Sequence, residues 1–360
     1  MPDKYVDEYV RRNSRVNRAS AGEAIKAAQK FKKVNEKIAE LLAKLSVDGF
    51  SAEAKRDVKR KIAKLLIDGF ADAASDASSL ASQLVEAEVN WQASTFSKYT
   101  TSVVNTVPIE SAIKAAASTA YQGKTFDDWF KEAGLKSNRK AAAVIEAGFI
   151  EGKSIPQIHS EVKKLTGKFI PELKTLVRSN LLHASSLGRE AMVEANDDII
   201  SGKLWNSTLD IRTTSDICGI RDQAKYDKSN KPIGHGLSWG AGPGQIHFNC
   251  RSIQVPTIKG VDVSVQRPSI GSGDNYSSGD NLTRRGTVRK PSKKNKDEGI
   301  FEVKRKAPGT DYEKWLRSQN SDFVADALGS KEKAVAFNKG ESLLSLVGDS
   351  IGVPTTVSKL

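Results

Sequence analysis

The sequence predicts an α+β protein: a mostly helical N-terminal region, a small α+β domain, a flexible basic linker and a short helical tail. Three observations carry this. From about residue 20 to 196 the chain is rich in Ala, Lys, Glu and Leu, with apolar residues at helical spacing. From 202 to 256 it turns to Gly, Trp, Thr and Ile, in short apolar runs between polar turns. From 257 to 306 it is first Gly/Ser/Asp-rich and then strongly basic, before helical patterning returns. The boundaries follow these shifts, at 1–150, 151–256, 257–306 and 307–360.

Phe31, Val34, Ile38, Leu41 and Leu45 repeat at alternating steps of three and four, which lines them along one stripe of a helix. A second helix is predicted to start near Ser51, with Val58, Ile62, Leu65 and Leu66 facing inward and Leu80 and Leu84 further along. Two such helices suggest an antiparallel hairpin. The stripe reads first as core, with self-association of two copies as the alternative. Pro108 marks a break. Thr125 with Asp128, and Ser154 with Gln157, have the spacing of capping boxes. One amphipathic helix is expected from Pro171 to Asn196, carrying Arg178, His183 and Arg189. Beyond it, KLWNSTLDIRTT and CRSIQVPTI read as strands. YEKWLRSQ, FVADALG and EKAVAFNKG read as short helices near the C-terminus.

The 360 residues carry a formal net charge of +13, which favours polyanionic partners such as DNA, RNA or acidic protein surfaces. No apolar run approaches the roughly 20 residues of a membrane span. The charged start, MPDKYVDEYVRRNSRVNR, lacks the apolar core of a secretion signal, so a cytoplasmic setting is expected. The basic run includes Arg284, Arg285, Arg289, Lys290, Lys293, Lys294 and Lys296. It reads evenly as an arm contacting double-stranded DNA through its phosphates or as a solvated linker.

Unusual residues concentrate between Trp205 and Arg251. Cys218 and Cys250 are the only cysteines, too few for a disulfide scaffold. With His247, and His235 or Asp222 as a fourth ligand, they could hold zinc. The spacing offers only one half-site, His247-x-x-Cys250. A nucleophilic cysteine beside His247 or His235 is the second reading, with no oxyanion element to support it. The third is structural: Asp210 pairs with Arg212, Arg251 takes a carboxylate or carbonyls, and the cysteines are small buried side chains. There is no phosphate-binding loop of the GxxxxGK[ST] type, no HExxH and no two-metal acidic cluster. The sequence therefore predicts no catalytic residues and no obligatory cofactor.

Arg178 in LVRSNLLHASSLGREA, then Trp205, Asp210, Arg212, Thr213 and Cys218 in WNSTLDIRTTSDIC, then His247, Asn249, Cys250 and Arg251 in IHFNCRSIQVP form a recognisable series. It resembles the phage minor head proteins of the Mu protein F type over about residues 150–256. The tail, DYEKWLRSQNSDFVADALGSKEKAVAFNKGESLLSLV, also resembles a segment that often ends such proteins. Ser252 stands where that family usually has a further cysteine, and Ile246 where it usually has proline. The resemblance implies a structural, non-enzymatic head component in few copies at the portal vertex or head interior, made in the host cytoplasm. Its partners would be portal and capsid proteins. It also implies a core likened to the ADP-ribosyltransferase fold. Transferase or cysteine-dependent chemistry is the alternative, although no NAD-holding motif is present.

Overall fold

The computed structural model of the chain describes residues 3–48, 51–261, 263, 267–278 and 293–351. Two long helices come first, α1 (Asp3–Asp48) and α2 (Ala52–Tyr99). Tyr9 meets Trp91 edge-on and Phe31 meets Phe70, so the pair is antiparallel, as the apolar stripes predicted. Phe31, Ile38, Leu45, Val58, Ile62 and Leu66 are all buried. Ser51 caps α2 by accepting from the Ala54 N–H at 3.1 Å. Helix α1 begins well before the predicted stripe. Tyr5 and Tyr9, four residues apart, are fully buried there, and the Tyr5 hydroxyl donates to the Pro256 carbonyl at 2.7 Å.

Next come α3 (Ile109–Ser118), which starts directly after Pro108, then α4 (Phe126–Ile150) and α5 (Ile155–Ala195). Both predicted caps form. Thr125 accepts from the Asp128 N–H, and Gln157 Oε1 accepts from the Ser154 N–H at 2.8 Å. The helix expected to start at Pro171 instead runs through it. Pro171 removes the hydrogen bond to the Gly167 carbonyl, but both residues are exposed, so water can satisfy that oxygen. Helix α5 packs on α1, α2 and α4, so the helical body continues past the boundary drawn at 150. At Gly188 the approach of α2 is so close that a Cβ would lie 2.9 Å from the Val85 carbonyl oxygen. Beside it, buried Glu88 accepts from Arg12 Nε at 2.9 Å and Arg189 Nη1 at 3.0 Å, which ties α1, α2 and α5 together.

Two small sheets follow. The first has strand order β4-β3-β1-β5, all antiparallel: β1 (Ile200–Asn206), β3 (Lys225–Tyr226), β4 (Pro232–Ile233) and β5 (Ile253–Ile258). Strands β1 and β5 pack on the helical body through Ile200, Leu204, Ile253 and Val255, against Tyr5, Val89, Phe96 and Met192. The second sheet has β2 (Leu209–Asp210) parallel to β6 (Arg267–Ser272), which pairs antiparallel with β7 (Phe301–Lys306). The linker expected over 257–306 is therefore folded at its ends: β5 reaches Ile258, and β6, α6 (Lys293–Asp297) and β7 all lie within it. Burial every second residue, at Arg267, Ser269 and Gly271, is the strand signal that composition hid.

The tail is helical as predicted: α7 (Tyr312–Arg317), α8 (Ser321–Leu328), α9 (Lys331–Asn338) and α10 (Leu343–Val347). Tyr312, Trp315, Leu316 and Phe323 are fully buried with Leu209, Tyr276 and Phe301 of the second-sheet region. Among the described residues no helix is long and apolar enough to cross a membrane.

Candidate functional site

The residues singled out between Arg178 and Arg251 meet where α5, the two sheets and the tail converge. After β2 the chain makes a single π-helical turn, Ser215–Gly219, which carries Cys218. Gly219 is required there, because a Cβ would lie 2.8 Å from the Tyr312 ring. The loop before β5 carries His247, Asn249 and Cys250. Asn249 has φ of +59°, a conformation that asparagine tolerates better than most residues. Its N–H donates to Ser179 Oγ at 2.8 Å and its side chain to Thr175 Oγ1 at 3.2 Å, so it pins the loop to α5. Trp205 is fully buried at the end of β1, edge-on to Trp239, and donates to Ser207 Oγ at 3.1 Å.

The two thiols lie 3.7 Å apart and are almost fully buried. That is far beyond the roughly 2.05 Å of a disulfide but close to the roughly 3.8 Å between two sulfurs sharing one tetrahedral zinc. His247 Nε2 lies 3.1 Å from Cys218 Sγ, and Nδ1 lies 2.9 Å from the Phe248 carbonyl. A carbonyl only accepts, so the proton sits on Nδ1 and the Nε2 lone pair faces the thiols. That is the tautomer a metal ligand needs. Burial pushes the Cys218 thiol up, and the neighbouring Cys250 pushes it further. Burial also opposes ionisation of Cys250, but Cys218, His247 and the Ser252 backbone outweigh it and hold that thiol well below the usual range. The donor set of two sulfurs and one imidazole fits zinc, with a fourth position left open.

His235 does not join this group, contrary to expectation. Its Nε2 contacts the Lys225 carbonyl at 2.9 Å and its ring lies edge-on to Tyr226. Asp222 is also committed elsewhere. It accepts from Arg267 at 2.8 and 2.6 Å and from the Ser207 N–H at 2.7 Å. Among the described residues only Cys218, His247 and Cys250 cluster as metal-binding side chains.

The expected pairing of Asp210 with Arg212 is also corrected. Arg251 takes both Asp210 oxygens, at 2.5 and 2.6 Å, and only the Arg212 backbone N–H reaches that carboxylate, at 3.0 Å. Thr213 donates to the Thr208 carbonyl and steadies the turn. Burial raises the Asp210 carboxyl, but Arg251 and then Arg212 hold it below its ordinary value. Arg178 reaches this wall from α5. Burial, then the charges of Arg212 and Arg251, pull its guanidinium down to about 9. The wall borders a cavity of about 710 Å³ that also meets His247, Thr214, Ser215 and the α8–α9 turn.

Two arginines went unnoticed in the sequence. Arg267 lay inside the presumed linker, although it is buried and bonded to Asp222, Asn206, Ser207 and Thr310. Arg221 is fully buried over Trp205 and donates to the Ser238 and Ile217 carbonyls and to Asp349. Their partners lie too far along the chain for any local pattern to reveal them. Of the basic run, Lys293, Lys294 and Lys296 are exposed on α6, while Arg284, Arg285, Arg289 and Lys290 lie outside the described residues.

No protein-family model, curated protein or solved structure matches this chain.

The Asp222–Arg267 pair joins the two sheets, and both side chains are at most 4% exposed. Replacing Asp222 with Leu strands a buried guanidinium and is expected to cost about 3–5 kcal/mol in urea denaturation. The double variant Asp222→Leu/Arg267→Met is expected to recover much of that loss. Purely additive losses would show that the pair does not couple the sheets.

Proposed function

We propose that the chain is a structural minor head protein of a tailed phage, installed at or near the portal vertex or in the head interior, rather than an enzyme. One observation carries the reading. Arg178, Trp205, Asp210, Arg212, Thr213, Cys218, His247, Asn249, Cys250 and Arg251, on which the family resemblance rests, come from three separate stretches of chain and meet in one region. Here several of them make the contacts that hold α5, the π-helical turn and the loop before β5 together. The corresponding test is quantitative mass spectrometry of purified virions and of empty procapsids. The chain is expected in both, in low and reproducible copy number. Its absence from both would overturn the reading.

In the same reading Cys218, His247 and Cys250 hold a structural zinc that fastens the π-helical turn to the loop before β5. Elemental analysis of the full chain is expected to give about one zinc per molecule, unchanged in His235→Ala and lost in Cys250→Ser together with a lower thermal midpoint. Protein without zinc, whose melting responds to neither zinc nor chelator, would refute this role.

The DNA contact is assigned to the basic run. Lys293, Lys294 and Lys296 on α6, and Lys304 and Arg305 on the edge strand β7, are exposed, and in sequence they follow Arg284 and Arg285. Reversing Arg284, Arg285, Lys293 and Lys294 to glutamate is expected to weaken duplex binding and to flatten the logarithmic salt dependence by roughly 2–4. An unchanged slope would remove this segment from DNA binding.

A further inference from the structure

The charge pattern of the 710 Å³ cavity is not explained by a structural joint. Arg178, Arg212 and Arg251 arrive from three chain segments at one wall, and each acts electrostatically on another. Asp210 is the single carboxylate that acts on Arg178 and Arg212, and Arg251 already occupies both of its oxygens. Three guanidiniums against one carboxylate leave two positive charges.

Arg178 touches only the neutral Asn17 Oδ1, at 3.2 Å, and its buried Nε has no hydrogen-bond partner. The Arg212 side chain makes no hydrogen bond or ion pair among the described residues. Arg221 and Arg267, by contrast, spend their donors on carboxylates and carbonyls. Holding like charges together in a partly desolvated wall is unfavourable unless an anion completes the set.

Asp216, Asp326 and Lys333 also line the cavity. Asp326 accepts from the Tyr276 and Ser278 hydroxyls. Thr213, Thr214 and Ser215, which follow Arg212 in sequence, line the same space. Ile211, Ile217, Phe248, Leu328 and Val347 supply apolar lining.

We propose that this cleft binds a phosphate monoester of nucleotide size, its phosphate held between Arg178 and Arg212. Guanidinium forks match the oxygens of a phosphate, and with Lys333 set against Asp216 and Asp326 the charged lining still keeps a net positive charge. The volume lies within the range of small-molecule sites, and the apolar lining offers a surface to a base or sugar. This does not depend on the head-protein reading, because it concerns a ligand any bearer of this cleft would take.

Isothermal titration of the full chain with AMP, inorganic phosphate and citrate tests it. AMP is expected to bind most tightly, phosphate more weakly and citrate least. Arg212→Met, which removes a side chain that makes no hydrogen bond or ion pair among the described residues, is expected to weaken AMP at least tenfold while the protein stays folded. Arg212→Lys is expected to retain part of the affinity. Independently, phosphate at constant ionic strength is expected to raise the wild-type thermal midpoint relative to chloride. A 5′-phosphorylated DNA strand that displaces AMP, where its unphosphorylated twin does not, would identify a strand end as the source. AMP binding that neither strand displaces would identify a free nucleotide. No binding of AMP or phosphate, citrate binding as tightly as AMP, or AMP binding equally to Arg212→Met would overturn the proposal.

Discussion

The buried pairing of Asp222 with Arg267 is the constraint on which the α+β part of the molecule rests. Strand β2 has two residues and β3 and β4 have two each, so backbone ladders alone cannot hold two sheets at a fixed angle. Arg267 reaches from β6 into the first sheet's neighbourhood and satisfies Asp222, the Asn206 side chain and the Ser207 and Thr310 carbonyls. Removing two charges from water is costly, and this set of bonds is what offsets it. Once that joint is fixed, the π-helical turn between β2 and β3 has a defined place. Cys218 can then lie against Cys250.

The same device recurs twice, with different consequences. Glu88 between Arg12 and Arg189 clamps three long helices at the point where Gly188 lets α2 and α5 touch. Asp210 with Arg251 closes the loop before β5 onto β2. Asp210 and Asp222 each have one arginine, and Glu88 has two, of which Arg12 also reaches water. Arg178 and Arg212 are the contrast, since the surrounding protein supplies them with one carboxylate that is already shared. Charge that is matched builds the fold, and charge that is left over at a cavity wall is available to a ligand.

The long helices were legible because their signals are local. Spacing of three and four, Ser51 before Ala52, and Thr125 before Asp128 act within one or two turns. The early start of α1 was missed because only Tyr5, Val6, Tyr9 and Val16 mark it, among many charged residues. Pro171 misled because its freed carbonyl partner, on exposed Gly167, can be satisfied by water, which lowers the cost of a proline inside the helix. The strands β6 and β7 were hidden because basic, Gly/Ser-rich composition resembles a linker, while their burial depends on a tail that docks from elsewhere. Within the site, the Cys218–His247–Cys250 grouping was legible as residue types. The exclusion of His235 was not, since it follows from where β3 and β4 turn.

The sequence by itself determined the helical content, the caps and the switch to short strands near residue 200, because each depends on neighbours within a few residues. Only the tertiary structure decided that Asp210 belongs to Arg251, that Asp222 belongs to Arg267, and that Arg178 and Arg212 share one wall. Those choices span from 34 to 45 residues of chain. Over such distances no spacing rule operates, and the partner of a buried charge is whichever opposite charge the packing brings within hydrogen-bond reach.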